Sequence, residues 1–147
     1  MTNRRVVERF WSAFQEGDLD TYEEIMHPDV VVTYPQSGEV IRGRENLMAI
    51  LRNYPAFPTR GDDLTLDTTE RTVSRPSPVP FGMSSVTIVD DGELVVGQAV
   101  LTYSGDEVYN SCSIFKVRSQ MIAEETSYFA APFQAPEWRS KWVESIG

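Results

Sequence analysis

The residues best suited to chemistry stand near the end of the chain, where Glu125 and Ser127 lie two positions apart in a segment typical of a β-strand. Side chains two residues apart on a strand point to the same face of the sheet. A carboxylate buried in an apolar pocket has a raised pKa and can act as a general acid or base. Glu125 is therefore the first candidate catalytic residue, and Glu124, on the opposite face, is a weaker one. The alternative, which the usual solvation of glutamate favours, is that Glu125 pairs with a surface or interface arginine.

Tyr34 is the second candidate catalytic residue, at the end of the β-branched segment Val30–Tyr34. A phenol with a pKa of about 10 does not readily remove a carbon-bound proton at neutral pH. The catalytic role that remains for Tyr34 is to donate a hydrogen bond to a ligand oxygen. The interpretation favoured over it is that the ring forms an aromatic wall of the pocket.

Other reactive residue types are scarce. His27 is the single histidine, and its position before Pro28 favours a structural role over a catalytic triad or a metal site. Cys112 is the single cysteine, which can form neither an internal disulfide nor a zinc cluster. There is no glycine-rich phosphate loop. We therefore expect no metal and no cofactor.

The charge balance excludes some classes of partner. The chain has 147 residues, of which 22 are acidic and 13 are Lys or Arg, giving a formal charge of −9. This charge opposes binding to nucleic acids and to anionic membrane surfaces. No signal-peptide core and no long apolar run stand out, so a cytoplasmic location is expected by default. The length favours one soluble domain over residues 1–147, with residues 131–147 as a C-terminal extension.

The element order predicts an α+β fold. Apolar residues at helical spacing predict helices over about residues 4–16, 19–26 and 44–54. Gly17 is expected to end the first helix, and Asp18 to cap the second. Strands are then expected at about residues 30–34, 64–73, 85–89, 94–103, 107–118 and 121–129. A short helix over 137–146 would carry Trp138 and Trp142. Docking on its own domain is the favoured interpretation, and docking on a partner subunit or over a pocket mouth are the alternatives.

Two stretches resemble the NTF2-like superfamily and its SnoaL-like members. The first comprises EGDLD, HPDVV, YPQSGE and IRGREN between residues 16 and 46, and the second is IAEETSYF at 122–129. The resemblance implies a cone-like fold, in which a strongly curved, mainly antiparallel sheet packs against the N-terminal helices around an internal pocket. It also implies a homodimer through the outer sheet face. The strand 94–103 is apolar on both faces, which agrees with helices covering one face and a second subunit the other.

The resemblance also implies which residues line the pocket. Those on the helices are equally candidates for the hydrophobic core. The expected pocket residues are Trp11, Phe14, Tyr34, Met48, Leu51, Tyr54, Asn110, Cys112, Glu125 and Ser127.

This sequence departs from the family's catalytic patterns. Ketosteroid isomerases of the superfamily have an aspartate where Tyr34 precedes Pro35. SnoaL-like cyclases have an acidic residue within a His-Trp-Asp-like triplet that matches residues 125–127, and Ser127 takes the aspartate position. Limonene-epoxide hydrolases need an Asp-Arg-Asp set, and residues 96–100 contain neither Arg nor Asp. Isomerase chemistry and epoxide hydrolysis in the forms those enzymes use are therefore disfavoured.

Three functional hypotheses follow. The first is an enzyme that binds a small apolar molecule and acts as a cyclase, isomerase or hydrolase by acid–base chemistry. The second is a non-catalytic ligand carrier or dimeric interaction module of the same fold. The third is a protein-binding dimer that uses Trp138 and Trp142.

Overall fold

The computed structural model describes residues 1–53, 72–74, 82–90, 94–102 and 108–144. The helices are α1 (Asn3–Glu16), α2 (Leu19–Ile25), α3 (Arg44–Arg52) and a 3-10 helix (Glu137–Trp142). The strands are β1 (Met26–Tyr34), β2 (Glu39–Arg42), β3 (Thr72–Ser74), β4 (Gly82–Asp90), β5 (Leu94–Thr102), β6 (Val108–Arg118) and β7 (Met121–Ala130). Of the helices in these ranges, none is both long enough and apolar enough to cross a bilayer.

The N-terminal helices begin and end where the sequence predicts. The Thr2 side chain accepts a hydrogen bond from the Arg5 amide at the start of α1. Gly17 ends α1 in the left-handed conformation, with φ at 70°, which glycine adopts without steric cost. Asp18 then caps α2, since its Oδ1 accepts from the Thr21 amide at 3.0 Å. These caps fix the turn that brings α2 back against α1.

The strands form one open sheet in the order β2-β1-β7-β6-β5-β4-β3. β7 pairs in parallel with β1, and the other neighbours are antiparallel. The α+β class and the mainly antiparallel sheet predicted from the sequence are confirmed. We call the face that packs against α1 the inner face, and the opposite one the outer face.

Three local predictions need correction. The strand expected at Val30 begins at Met26 and includes His27 and Pro28. Strand β2 is absent from the sequence prediction, because its four residues show no clear alternation. The C-terminal helix is a 3-10 helix with no buried residue. Its docking on the same domain is not observed, since Trp138 is 76% and Trp142 69% exposed. The predicted strand at 64–73 lies mostly outside the described residues.

The core forms where α1 crosses the inner face. Phe10 contacts Trp11, Tyr22 and Phe115 with ring centroids 4.9–5.1 Å apart. Burial of several aromatic and aliphatic side chains of this size supplies most of the driving force for folding. The buried apolar residues include Val6, Val7, Phe10, Trp11, Tyr22, Ile25, Met26, Val30, Val32, Leu47, Met48, Val95, Ala99, Phe115 and Ile122.

Gly97 of β5 lets the Trp11 indole approach the sheet. A Cβ atom at Gly97 would lie 2.7 Å from Trp11 Nε1 and 3.1 Å from Cε2 and Cζ2. These separations are shorter than van der Waals contact, so any larger residue would displace the indole or the strand. The absence of a side chain at Gly97 thus sets the height of Trp11 above β5.

Replacing Gly97 with alanine is expected to lower the free energy of unfolding by about 1–3 kcal/mol through overpacking against Trp11. Urea denaturation followed by circular dichroism would measure the loss. The matched test is Gly97→Ala in a Trp11→Phe background, where the smaller ring should relieve most of the clash. An equal loss in both backgrounds would contradict the contact.

Candidate functional site

The inner face of β7 holds the group on which the site is built. Glu125 lies opposite Val32 of β1 and Phe115 of β6, and it is 6% exposed. No arginine or lysine among the described residues forms an ion pair with it. The interpretation that Glu125 pairs with a surface arginine is therefore wrong for this part of the chain. The carboxyl group is instead buried inside the fold.

Ser127 holds one oxygen of this carboxyl group, and Ser113 in turn contacts the Ser127 hydroxyl. Ser127 Oγ donates to Glu125 Oε1 at 2.6 Å, and Ser113 Oγ lies 2.7 Å from Ser127 Oγ. Each hydroxyl has one proton, so Ser113 must donate to Ser127 when Ser127 donates to the carboxyl group. The other oxygen, Glu125 Oε2, is buried and has no hydrogen-bond partner among the described residues. A proton on the acid is therefore expected at Oε2.

Burial changes the acid strength of Glu125. Loss of solvation raises its pKa to about 7, and the hydrogen bond from Ser127 acts in the opposite direction by favouring the carboxylate. Both protonation states are consequently populated near neutral pH. A group with this property can give and accept a proton under the same conditions.

Tyr22 lies within electrostatic range of both the Glu125 carboxyl group and Tyr34. Burial raises the pKa of Tyr22 well above its usual value, with additional effects from the charges of Glu125 and Tyr34. Tyr22 therefore stays protonated at neutral pH. Tyr34, at the end of β1, is partly buried and its ring packs against Phe129 at 5.7 Å.

The other predicted pocket residues lie in or against the core, outside the described residues, or on the outer face of the sheet. Trp11, Met48 and Leu51 are buried in the core, and Phe14 packs against it from a partly buried position. Tyr54 lies outside the described residues.

Asn110 and Cys112, which the sequence predicts to line the pocket, lie on the outer face of the sheet. Cys112 pairs with Tyr128, whose side chain is exposed on the outer face, and Asn110 is itself exposed. Because side chains alternate along a strand, the inner positions of β6 are the intervening Ser111 and Ser113. Both serines are buried, with 3% and 2% exposure.

Sequence reasoning missed three polar residues near the site. Ser111 and Ser113 are two small polar residues at alternate positions of β6, and this spacing is the signal that the sequence offers. Tyr22 lies on α2, and the sequence alone does not show that α2 packs against β7.

His27 lies in strand β1 and not at a helix terminus. Its Nδ1 accepts a hydrogen bond from the Asp29 amide at 3.1 Å, and the Arg118 guanidinium lies 3.3–3.4 Å from the ring nitrogens. These contacts tie the start of β1 to the end of β6. His27 is not among the residues around Glu125.

The raised pKa of Glu125 predicts how stability depends on pH. Below about pH 4.5 the group is protonated in both the folded and the unfolded chain, and its stabilising contribution is complete. That contribution is lost as the pH rises from about 4.5 to about 7, because the unfolded chain releases the proton first. The wild type should therefore lose about 3 kcal/mol relative to Glu125→Gln over this range.

Urea unfolding of both proteins at several pH values would measure this difference. Glu124→Gln is the matched control, since Glu124 is exposed and pairs with Lys116 at 3.3 Å. A constant difference between the wild type and Glu125→Gln would show that Glu125 keeps an ordinary pKa in the folded protein.

Comparison with known proteins agrees with this architecture. The family model for the SnoaL-like domain matches residues 7–125. An NTF-2 like protein of unknown function from Burkholderia xenovorans LB400 is 32% identical, with 98% of this chain and 94% of that chain covered and a TM-score of 0.70. No protein with a curated description matches the sequence.

Two other similar structures are more distant in sequence. A proposed ketosteroid isomerase from Kribbella flavida DSM 17836 is 17% identical, with 98% and 89% of the chains covered and a TM-score of 0.76. An LEH-like epoxide hydrolase from M. tuberculosis is 22% identical, with 86% and 81% covered and a TM-score of 0.61. These likenesses show a shared fold, whereas the family match spans most of the sequence. The chain therefore belongs to the SnoaL-like domain family and has the NTF2-like fold.

Proposed function

We propose that this protein binds a small, uncharged, largely apolar molecule against the inner face of the sheet, and that Glu125 transfers a proton to or from it. The observation that carries the proposal is the buried carboxyl group whose Oε1 is held by Ser127 while Oε2 has no partner among the described residues. One oxygen is thus fixed and the other is left for a ligand.

The charge distribution supports an uncharged ligand. The buried charged residues of the described chain are Glu8 and Glu125, and Glu8 is already paired with Arg4 and Arg5. An anionic ligand would therefore meet a carboxylate with no compensating buried cation, which is unfavourable at low dielectric. A neutral molecule with apolar surface avoids this cost and gains from the aromatic surroundings of α1.

The proton-transfer step uses the carboxylate form of Glu125. Its Oε2 takes a proton from a carbon next to a ligand carbonyl, the electron pair of the C–H bond moves onto the carbonyl oxygen, and Glu125 becomes the neutral acid. The acid then returns the proton to the same or another atom. Tyr34 is the proposed hydrogen-bond donor to the ligand oxygen that gains charge.

An enzymatic role is compatible with the fold that this chain shares with two proteins described as enzymes. The proposed isomerase and the epoxide hydrolase have the same fold as this chain, at 17% and 22% identity. The described inner positions of β5 are Val95, Gly97 and Ala99, none of them charged. Isomerisation or cyclisation by proton transfer is therefore a better match than hydrolysis that needs several charged residues around a water. A cytoplasmic location and one domain over residues 1–147 remain proposals from the sequence.

A homodimer through the outer face is also proposed. Tyr128 is 47% exposed on that face, next to Cys112 and close to the half-buried Ile114. An exposed aromatic residue among apolar neighbours in a sheet is typical of a surface that a partner covers.

Proton transfer can be tested with decalin-2,6-dione, an uncharged bicyclic diketone with exchangeable hydrogens next to each carbonyl. In D₂O the wild type is expected to accelerate deuterium incorporation, measured by mass spectrometry. The rate should rise with pH through about 7 as the carboxylate of Glu125 forms. Glu125→Gln should lower the rate by about 100-fold or more.

Glu124→Gln is the matched control and should keep the wild-type rate. Equal rates for the wild type and Glu125→Gln, or a wild-type rate equal to that of buffer, would remove the catalytic proposal. Binding without exchange would leave the non-catalytic carrier as the better description.

The dimer can be tested by native mass spectrometry. The wild type is expected to have twice the mass of the chain, and Tyr128→Glu to have the mass of a monomer, because a charge would be buried at the interface. Deleting residues 137–147 tests the alternative that Trp138 and Trp142 form the interface. Loss of the dimer on that deletion, with a persistent Tyr128→Glu dimer, would place the interface at the C-terminal extension instead.

A further inference from the structure

Three buried polar atoms lack a hydrogen-bond partner among the described residues: Trp11 Nε1, Ser111 Oγ and Glu125 Oε2. Their residues are 3%, 3% and 6% exposed. A buried polar atom without a partner costs about 1–3 kcal/mol, and native proteins contain few. Glu125 Oε2 is already assigned to proton transfer, which leaves two hydrogen-bond donors that the proposed reaction does not use.

The sheet register places these two donors at successive inner-face positions. Trp11 Nε1 lies directly over Gly97, and Gly97 pairs with Ser113 of β6. Ser111 is two positions from Ser113 on the same inner face and pairs with Ala99 of β5. The indole N–H therefore lies above the Gly97–Ser113 pair, and Ser111 belongs to the next inner-face pair, Ala99–Ser111.

The same register separates these donors from Glu125. Across the sheet from Gly97 on β5, the paired inner-face residues are Ser113 on β6 and Ser127 on β7. Glu125 lies two residues from Ser127 along β7. Neighbouring strands are about 4.8 Å apart, so β5 and β7 are about 10 Å apart. The donors therefore face a different end of the ligand from the one that reacts at Glu125.

We infer that Trp11 Nε1, assisted by Ser111 Oγ, anchors a carbonyl oxygen at the end of the ligand remote from Glu125. The indole N–H can only donate, so its partner must be an acceptor. A carbonyl oxygen has two lone pairs and can accept from both groups, whereas a ligand hydroxyl would add a further buried donor. The ligand class is thus an uncharged carbonyl compound about 10 Å long. Trp11 acts in binding and orientation, and this role rests on the proposed ligand site of Glu125.

The test uses decalin-2,6-dione, in which one carbonyl can reach the anchor while the other lies near Glu125. In wild-type protein labelled with ¹⁵N, the dione is expected to move the Trp11 indole N–H resonance downfield. The signals of Trp138 and Trp142, which are exposed at the C-terminus, should stay in place. Trp11→Phe identifies the resonance and should weaken dione binding about 5-fold, as expected for one lost hydrogen bond. Trp138→Phe is the matched control and should bind as the wild type does.

The result on the wild-type protein does not depend on how well Trp11→Phe folds. A Trp11 resonance that does not move at the highest soluble dione concentration overturns the anchor, as does unchanged affinity in a folded Trp11→Phe protein. Glu125→Gln separates the anchor from the proton-transfer proposal. If Glu125→Gln stops deuterium exchange while the Trp11 signal never moves, proton transfer stands and the anchor is wrong. If the Trp11 signal moves but exchange does not depend on Glu125, the anchor stands and proton transfer is wrong.

Discussion

The position of β7 between a parallel neighbour, β1, and an antiparallel one, β6, is the constraint on which the site depends. Both edges of β7 are paired, so its backbone is fixed between two strands and its inner side chains face the helices. Helices α1 and α2 contact β7 from the inner side and exclude water from it. The carboxyl group of Glu125 is therefore transferred from water to an interior in which its charged form is disfavoured.

The two buried glutamates show how the surroundings determine chemical use. Glu8, on α1, accepts hydrogen bonds from Arg4 and Arg5 at 2.8 and 3.2 Å, so its negative charge is compensated. Glu125 has hydroxyl neighbours and no such cation. A neutral donor can orient a carboxyl group and stabilise its charge only partly, whereas a paired guanidinium holds the charge in place. The surroundings of Glu125 therefore permit proton exchange near neutral pH, whereas those of Glu8 serve structure.

Sequence patterns predicted the fold and which side chains of a strand share a face. They predicted only in part which of the two faces is the inner one. The spacing of Glu125 and Ser127 placed both on one face, and the alternation in β5 separated Val95, Gly97 and Ala99 from their outer neighbours. For β6 the choice between Asn110 with Cys112 and Ser111 with Ser113 depends on strand pairing, which a single strand does not encode. The burial of Glu125 likewise requires α1, α2 and the distant strand β1 to meet β7, and this tertiary arrangement overrides the usual solvation of glutamate.

Three departures from the rules of a stable core occur on the inner face of the sheet and on the helix that packs against it. Gly97 removes a side chain from the middle of β5, which weakens a strand but admits the Trp11 indole. The indole N–H is buried without a described partner, and so is one oxygen of Glu125. Each departure by itself lowers stability, and a core selected only for packing would contain apolar side chains at these positions. Their concentration between α1 and the strands β5 and β7 is what the proposed ligand site would require, because a bound molecule would supply the missing contacts and recover the lost stability.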